Sequence, residues 1–258
     1  MCIRDRLETG YNNLRTAVIG KKYAQETLGF YNRGKQFPEL VMNAVNGSIQ
    51  SVMLPVLADE QDDVSRMKQM MRRSVMVSSF LVLPMMAGLA AVGEPLVRLL
   101  LTDKWLPCVP FLQICCIDFA FYPIHTANLQ AINAMGRSDV FLRLELIKKS
   151  YGLLILAATV FLFDSVYAIA WGAVASTLLA AVVNASPNRK LLGYGYLEQM
   201  RDVLPALALS AVMFAAVWAL GQLPLSPLPL LVLQVLAGAA IYGGLALLLR
   251  LESMRYLM

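Results

Sequence analysis

The sequence predicts an all-α fold, a polytopic transmembrane helix bundle with about seven spans, because of its composition and the spacing of its charges. Of 258 residues, 58% are hydrophobic and only 15% are charged, whereas a soluble domain averages roughly 25% charged residues. The mean hydropathy is +0.60. The charged residues are grouped between long uncharged runs, which is typical of helices that cross a bilayer. This pattern argues against a soluble enzyme.

The uncharged runs set the predicted spans. Each is close to or longer than the roughly 20 residues that a helix needs to cross about 30 Å of hydrocarbon. The longest run is divided by the turn signal around Pro224 and Pro227. The fourth span is long enough only if Lys148 and Lys149 extend toward the interface. Spans are predicted near residues 38–58, 74–93, 107–134, 146–163, 165–186, 203–221 and 229–249.

Every second connection between these spans is rich in lysine and arginine. The basic connections lie at residues 59–73, 137–149, 189–201 and 250–255. Basic loops face the cytoplasm, so we expect a multi-pass membrane protein with a cytoplasmic C-terminus. The net charge of +5 then favours contact with anionic membrane lipids. No basic run is interleaved with aromatic residues, so no nucleic acid partner is expected.

The N-terminal region breaks the charge alternation. Residues 1–6 continue no pattern and are interpreted as an artefact of translated adaptor sequence. Residues 7–37 are interpreted as the end of a truncated preceding helix followed by an exterior connector. Residues 38–258 form the predicted transmembrane helical bundle.

No pattern in the sequence predicts catalysis or a cofactor. There is no glycine-rich phosphate loop, no nucleophile elbow and no paired carboxylates. The single histidine argues against a histidine-ligated zinc site of the usual kind. Cys108, Cys115 and Cys116 fit packing roles better than a redox role. We therefore expect no enzyme activity, no cofactor and no metal.

The first predicted span carries a row of amide side chains. Asn43, Asn46 and Gln50 follow Glu39 at spacings that place all four on one face of a helix. Such a face is expected to contact protein or water and not lipid. Two interpretations have equal weight: hydrogen bonding between helices, or the wall of a path for a polar solute.

The third predicted span contains ionisable groups on one face. Asp118, Tyr122, His125 and Asn128 repeat at helical spacing. Ionisable residues within a span indicate function by default. Asp118, His125 and Asn128 are therefore further candidates to line a substrate path. A role of His125 in proton coupling competes with a structural role, which is the favoured alternative.

Several motifs resemble those of bacterial polysaccharide flippases. They are GYNNLR at residues 10–15, LGFYNRGKQFP at residues 28–38, EPLVRLLLTDKW at residues 94–105 and AMGRSD at residues 134–139. These flippases are the lipopolysaccharide-biosynthesis exporters of the multidrug/oligosaccharidyl-lipid/polysaccharide exporter superfamily. The resemblance covers residues 10–150, and beyond them only hydropathy matches.

The resemblance implies the C-terminal half of a two-bundle flippase fold with an internal cavity and alternating access. It implies transport of an undecaprenyl-pyrophosphate-linked oligosaccharide across the inner membrane for lipopolysaccharide and exopolysaccharide synthesis. Implied partners are the lipid-linked oligosaccharide, membrane lipids and the polysaccharide polymerase machinery. A cation-coupled multidrug exporter and an inactive membrane fragment are the alternatives.

A pyrophosphate needs a partly cationic path, because hydrocarbon does not solvate its charge. Arg15, Arg33 and Lys35 are the candidates for contact with the pyrophosphate. Ordinary anchoring at the membrane interface is the favoured alternative for Arg33 and Lys35.

Overall fold

The computed structural model confirms the all-α bundle. It describes residues 14–60 and 63–249, apart from the side chains at positions 48, 52 and 54. Within this part, six helical segments are long and apolar enough to cross a membrane. Residues 1–6, interpreted as an artefact, and the predicted cytoplasmic end at residues 250–258 lie outside the described residues.

The described helices follow the predicted spans in order. Helix α1 covers residues 14–22. The others are α2 Gln25–Asp59, α3 Val64–Ala91, α4 Gly93–Leu100, α5 Val109–Ala120, α6 Tyr122–Ala134, α7 Ser138–Leu162, α8 Val166–Leu191, α9 Tyr196–Leu220 and α10 Pro227–Leu248. Helix α7, the fourth predicted span, is not among these six segments. Its most apolar stretch contains three charged residues, Glu145, Lys148 and Lys149. Lys148 and Lys149 both pair with Glu145.

The first span begins earlier than predicted. The sequence places its start at Pro38, but α2 begins at Gln25 and passes through Pro38. A proline lacks the N–H that would bond the carbonyl four residues earlier, here Gly34. Membrane helices tolerate such a proline when neighbouring helices support the backbone. The backbone of the 3-10 turn before α5 lies close to α2 at this point, since a Cβ at Gly34 would lie 2.7 Å from the Cys108 carbonyl oxygen. The predicted exterior connector at residues 25–37 is therefore helical.

The third span is two helices and not one. Helix α5 ends at Ala120 and α6 begins at Tyr122, with Phe121 between them. Pro123 lies in the first turn of α6, where its missing N–H costs nothing. Before α5, the short helix α4 and a 3-10 turn at Asp103–Cys108 form an amphipathic element. This arrangement lets residues of α5 and α6 contact different neighbours.

Helix α3 is central to the bundle. One side of α3 packs against α9, which in turn carries α10, and the other side packs against α2, α5 and α6. Helix α8 packs against α5 and α6 and carries α7 on its outer side. The core between α3 and α9 includes Met71, Val75, Val203 and Val217, all nearly inaccessible to solvent. Two further clusters of buried apolar residues include Met42 with Leu112 and Ile19 with Phe111.

Ion pairs join α3 to α9 at the end predicted to face the cytoplasm. Arg72 donates from Nε and Nη2 to the two carboxylate oxygens of Asp202, at 2.9 and 2.8 Å. The Tyr194 hydroxyl also donates to Asp202. Burial, together with this carboxylate, raises the pKa of Tyr194, which keeps the hydroxyl protonated as a donor. Lys68 donates to the Gly193 carbonyl oxygen at 2.7 Å.

The opposite end brings together the connections predicted to be exterior. Lys22, which follows the charge-breaking N-terminal region, pairs with Asp164 between α7 and α8 at 3.3 Å. The ring of Phe30 on α2 meets Trp105 edge to face. Helix α4 contacts α10. Where contacts between the described residues join two connections, both belong to the same set of the charge alternation, and the assignment of each set to a side of the membrane remains a prediction.

Candidate functional site

The predicted row of amides lies along one side of α2. Asn43 and Gln50 are exposed and Asn46 is half-buried. Toward the start of the helix, Lys35 pairs with Glu39 at 4.0 Å. From Lys35 to Gln50 this polar stripe is about 22 Å long, since a helix rises about 1.5 Å per residue. We call these five residues the α2 stripe.

Helix α6 borders the α2 stripe and bonds two of its amides. The Thr126 hydroxyl donates to Asn46 Oδ1 at 2.6 Å. Gln130 Nε2 donates to Gln50 Oε1 at 3.3 Å. The Oε1 atom of Gln130 is buried and has no partner of its own, so it is an acceptor available beside the stripe. The amide row thus bonds a neighbouring helix, as the first interpretation predicts, and the wall of a path for a polar solute remains a prediction.

The second set of predicted residues faces α8. Asp118 on α5 accepts a hydrogen bond from the Thr177 hydroxyl. The His125 ring is buried on α6, with its Nδ1 atom 3.1 Å from Asn184 Nδ2. The amide can donate here, in which case the imidazole is neutral and carries its proton on Nε2. These contacts place the two side chains between helices.

Asn128 is the centre of a buried amide cluster that joins three helices. Its Nδ2 atom donates to Gln199 Oε1 on α9, and its Oδ1 atom accepts from Gln199 Nε2. Asn188 Nδ2 on α8 donates to the same Oδ1 atom at 2.8 Å. Gln199 also donates to the Tyr194 carbonyl oxygen. Asn128 has no exposed surface, so in this conformation it holds α6, α8 and α9 together and lines no open path.

The structure therefore separates the two predicted sets. Asn43, Asn46 and Gln50 lie at the α2 surface, whereas Asp118, His125 and Asn128 lie in the contact of α5 and α6 with α8. The six residues therefore do not share one surface in this conformation, and their role in a substrate path remains a prediction. The reason is the break at Phe121 and the position of α6, which turns Thr126 and Gln130 toward α2 and His125 and Asn128 away from it.

The three predicted cationic candidates occupy different surroundings. Arg33 is exposed, donates to Gln36 and lies over the Trp105 ring at 5.5 Å, which fits anchoring at an interface. Lys35 belongs to the α2 stripe. Arg15 on α1 is half-buried, and its Nε atom is buried without a partner.

The hydrogen-bonding partners of the predicted residues could not be identified from the sequence. They are Thr126, Gln130, Thr177, Asn184, Asn188 and Gln199. A signal for three of them was present, because Thr177, Asn184 and Asn188 repeat at helical spacing inside an uncharged run. Nothing in that spacing shows which helix they face.

Residues 1–110 match the family described as polysaccharide biosynthesis protein. The teichuronic acid biosynthesis protein TuaB of Bacillus subtilis is 23% identical over 89% of this chain and 48% of its own length. The succinoglycan biosynthesis transport protein ExoT of Rhizobium meliloti is 24% identical over 74% of the chain and 36% of its own length. The lipopolysaccharide biosynthesis protein WzxC of Escherichia coli is 24% identical over 53% of the chain and 28% of its own length. The chain thus spans half or less of the length of these relatives.

The fold is similar to that of the lipid II flippase MurJ in its inward closed conformation. The TM-score is 0.65 at 15% sequence identity, over 89% of this chain and 47% of the flippase. With its six helical segments able to span a bilayer, the chain is a multi-pass membrane protein. Sequence and fold together confirm the resemblance to polysaccharide flippases of the multidrug/oligosaccharidyl-lipid/polysaccharide exporter superfamily.

Proposed function

We propose that the protein translocates an undecaprenyl-pyrophosphate-linked oligosaccharide across the bacterial inner membrane for surface polysaccharide synthesis, and that it is not an enzyme. The observation that carries the proposal is the α2 stripe, a row of exposed and half-buried polar groups on a helix able to span the bilayer. The names of the relatives support the substrate class. Polysaccharide polymerases are the proposed downstream partners, because they consume a translocated glycan.

Sugar hydroxyls need hydrogen-bonding partners throughout their passage, since each unpaired polar group costs several kcal/mol in hydrocarbon. Asn43, Asn46 and Gln50 offer both donors and acceptors in a single row. The unpartnered Gln130 Oε1 atom adds an acceptor next to Gln50. We propose that the glycan moves along this row while its lipid tail stays in the bilayer.

The pyrophosphate is drawn to the cations near the start of α2. Lys35 belongs to the stripe, and Arg15 has a buried, unpartnered Nε atom. Arg33 lies farther out, over Trp105. We propose that Arg15 and Lys35 attract the diphosphate and that Arg33 contributes at the rim. Asp118, His125 and Asn128 act in the proposal by holding α5 and α6 against α8 and α9, and they reach the path only if those helices separate.

The test reconstitutes the complete gene product in proteoliposomes with a fluorescent lipid-linked oligosaccharide. Translocation is followed by quenching with a reagent that does not cross the membrane. The double variant Asn46→Leu/Gln50→Leu is expected to lower the translocation rate at least tenfold. The matched control is Gln25→Leu/Asn32→Leu, two exposed amides at the start of the same helix, which is expected to transport as the wild type does.

Equal rates for the two double variants would remove the α2 stripe from the mechanism. Absence of translocation by the wild type would contradict the flippase proposal. The second candidate function is cation-coupled multidrug export, which the superfamily resemblance favours. It predicts that deletion changes drug susceptibility and leaves the surface glycan intact. An inactive membrane fragment predicts that neither changes.

A further inference from the structure

An apolar groove and a polar cup adjoin on the side of the bundle formed by α3, α5, α8 and α9. The groove has a volume of about 860 Å³ and is lined mainly by aliphatic and aromatic side chains. The cup has a volume of about 290 Å³ and lies at the end predicted to be exterior, where α4 meets the turn before α10. Gln113 and Trp218 line both spaces, so the two form one amphipathic site.

The groove opens on the surface of the bundle. Its lining comes from α3, α5, α8 and α9, with Ile117, Tyr167, Trp171 and Trp218 exposed at its margins. Its volume lies within the roughly 300–1,000 Å³ that is usual for ligand sites. A hydrocarbon chain in the groove would contact this lining on several sides. Aromatic side chains like those at the margins are typical of the membrane interface.

The cup contains a buried acceptor that lacks a donor. Gln234 on α10 has 1% of its surface exposed and lines the cup. Its Nε2 atom donates to the Val217 carbonyl oxygen at 3.0 Å, while its Oε1 atom has no partner. Buried polar atoms in proteins are nearly always paired. An N–H or O–H donor bound in the cup would give the Gln234 Oε1 atom the hydrogen bond that it lacks.

The charges around the cup favour a cationic group next to a phosphate. Arg98 lines the cup and pairs with Glu94 at 2.9 Å and with Asp103 at 3.3 Å. Asp103 is not part of the cup lining, so Glu94 and Arg98 give the cup one negative and one positive charge. An ammonium group is attracted to the Glu94 carboxylate and can donate to Gln234 Oε1, and the remaining donors of Arg98 suit phosphate oxygens.

We propose that this groove and cup bind a glycerophospholipid with a primary ammonium headgroup, such as phosphatidylethanolamine. The acyl chain occupies the apolar groove. The ammonium group lies between Glu94 and Gln234, and the phosphate lies toward Arg98. This lipid is a bound component of the protein and not its transported substrate, because the site is lined by helices other than α2, which carries the polar stripe.

The test is native mass spectrometry of the complete gene product, purified in detergent and incubated with equal amounts of phosphatidylethanolamine and phosphatidylglycerol. We expect one phosphatidylethanolamine to be retained at least fivefold over phosphatidylglycerol. Glu94→Gln and Gln234→Leu are each expected to reduce this retention at least threefold. The matched control Glu26→Gln removes one negative charge at an exposed position of α2 outside the cup. It is expected to leave the retention of phosphatidylethanolamine unchanged.

A second pair of variants tests the groove itself. Ala211 lines the groove, whereas Ala208 is an exposed alanine of the same helix outside its lining. Ala211→Phe is expected to reduce retention of the lipid at least threefold, and Ala208→Phe is expected to leave it unchanged. Equal retention of the two lipids by the wild type, or unchanged retention in both Glu94→Gln and Gln234→Leu, would overturn the proposal. Displacement of phosphatidylethanolamine by equimolar undecaprenyl phosphate would also overturn it, by assigning the site to the substrate.

Discussion

The hydroxyl of Thr126 donates a 2.6 Å hydrogen bond to Asn46 Oδ1, which joins α6 to the middle of the α2 stripe. The polar row is therefore held in place by a residue that is adjacent in sequence to buried His125 and two residues before buried Asn128. One short helix thus borders the exposed polar surface on one side and the buried polar contacts with α8 on the other.

Replacing Thr126 with valine keeps the shape of the side chain and removes this bond. Hydrogen bonds between membrane helices contribute about 0.6 kcal/mol on average and up to about 1.7 kcal/mol. We expect Thr126→Val to lower the free energy of unfolding in detergent by an amount in this range. Thr159→Val is the matched control, because the Thr159 hydroxyl donates to Leu156 in its own helix. An equal loss in both variants would show that the bond between helices has no special weight.

Two glycines of α2 provide a matched pair for a packing test. A Cβ at Gly34 would lie 2.8 Å from the backbone nitrogen of Leu112, whereas a Cβ at Gly47 meets nothing within 4 Å. We expect Gly34→Ala to destabilise the protein by about 1–3 kcal/mol, as overpacking does. Gly47→Ala is expected to be neutral or stabilising by up to about 1 kcal/mol, since alanine favours the helix. Thermal unfolding in detergent measures both, and a stable Gly34→Ala variant would contradict the close crossing of α2 and α5.

Asp202 on α9 links Arg72 on α3 to Tyr194. Asp202 accepts from both Arg72 and Tyr194, and its side chain is 8% exposed. We expect Asp202→Ala to cost about 1–3 kcal/mol, because a buried donor loses its acceptor. Asp139→Ala is the matched control, since Asp139 is an exposed partner of neighbouring Arg137, and no measurable change is expected. Equal melting temperatures for the two variants would contradict the anchoring role of Asp202.

The orientation of the bundle is testable with single cysteines. In a cysteine-free background, we expect a reagent that does not cross the membrane to label Asp164→Cys and Ser226→Cys from outside intact cells. Ser65→Cys is expected to react only after the cells are opened, because its connection is basic and faces the cytoplasm. Labelling in the reverse pattern would invert the predicted topology.

The sequence was sufficient for the helix class and for most of the spans, because uncharged length alone determines which segments can cross a bilayer. It failed at the start of α2, where charged residues and Pro38 were interpreted as marking a connector although the helix extends to Gln25. It also failed at Phe121, since hydropathy does not change where α5 ends and α6 begins. Helix breaks of this kind depend on packing.

The candidate site, like the fold, could be predicted only in part. Helical spacing correctly placed Asn43, Asn46 and Gln50 on one side of α2, because that relation lies within one helix. It did not show that Asn128 is enclosed by Asn188 and Gln199. Those contacts depend on how helices cross, and one sequence carries no direct record of that.

The central claim is that the α2 stripe contacts water within the membrane, and the rate of reaction of single cysteines with a water-soluble thiol reagent tests it most directly. The measurement uses the complete gene product in membranes, with Asn43→Cys and Gln50→Cys compared with Leu236→Cys on α10. Leu236 is 64% exposed on an apolar helix, so it represents contact with lipid. The account predicts that the two stripe positions react at least tenfold faster than position 236. Equal, slow reaction at all three positions would contradict it.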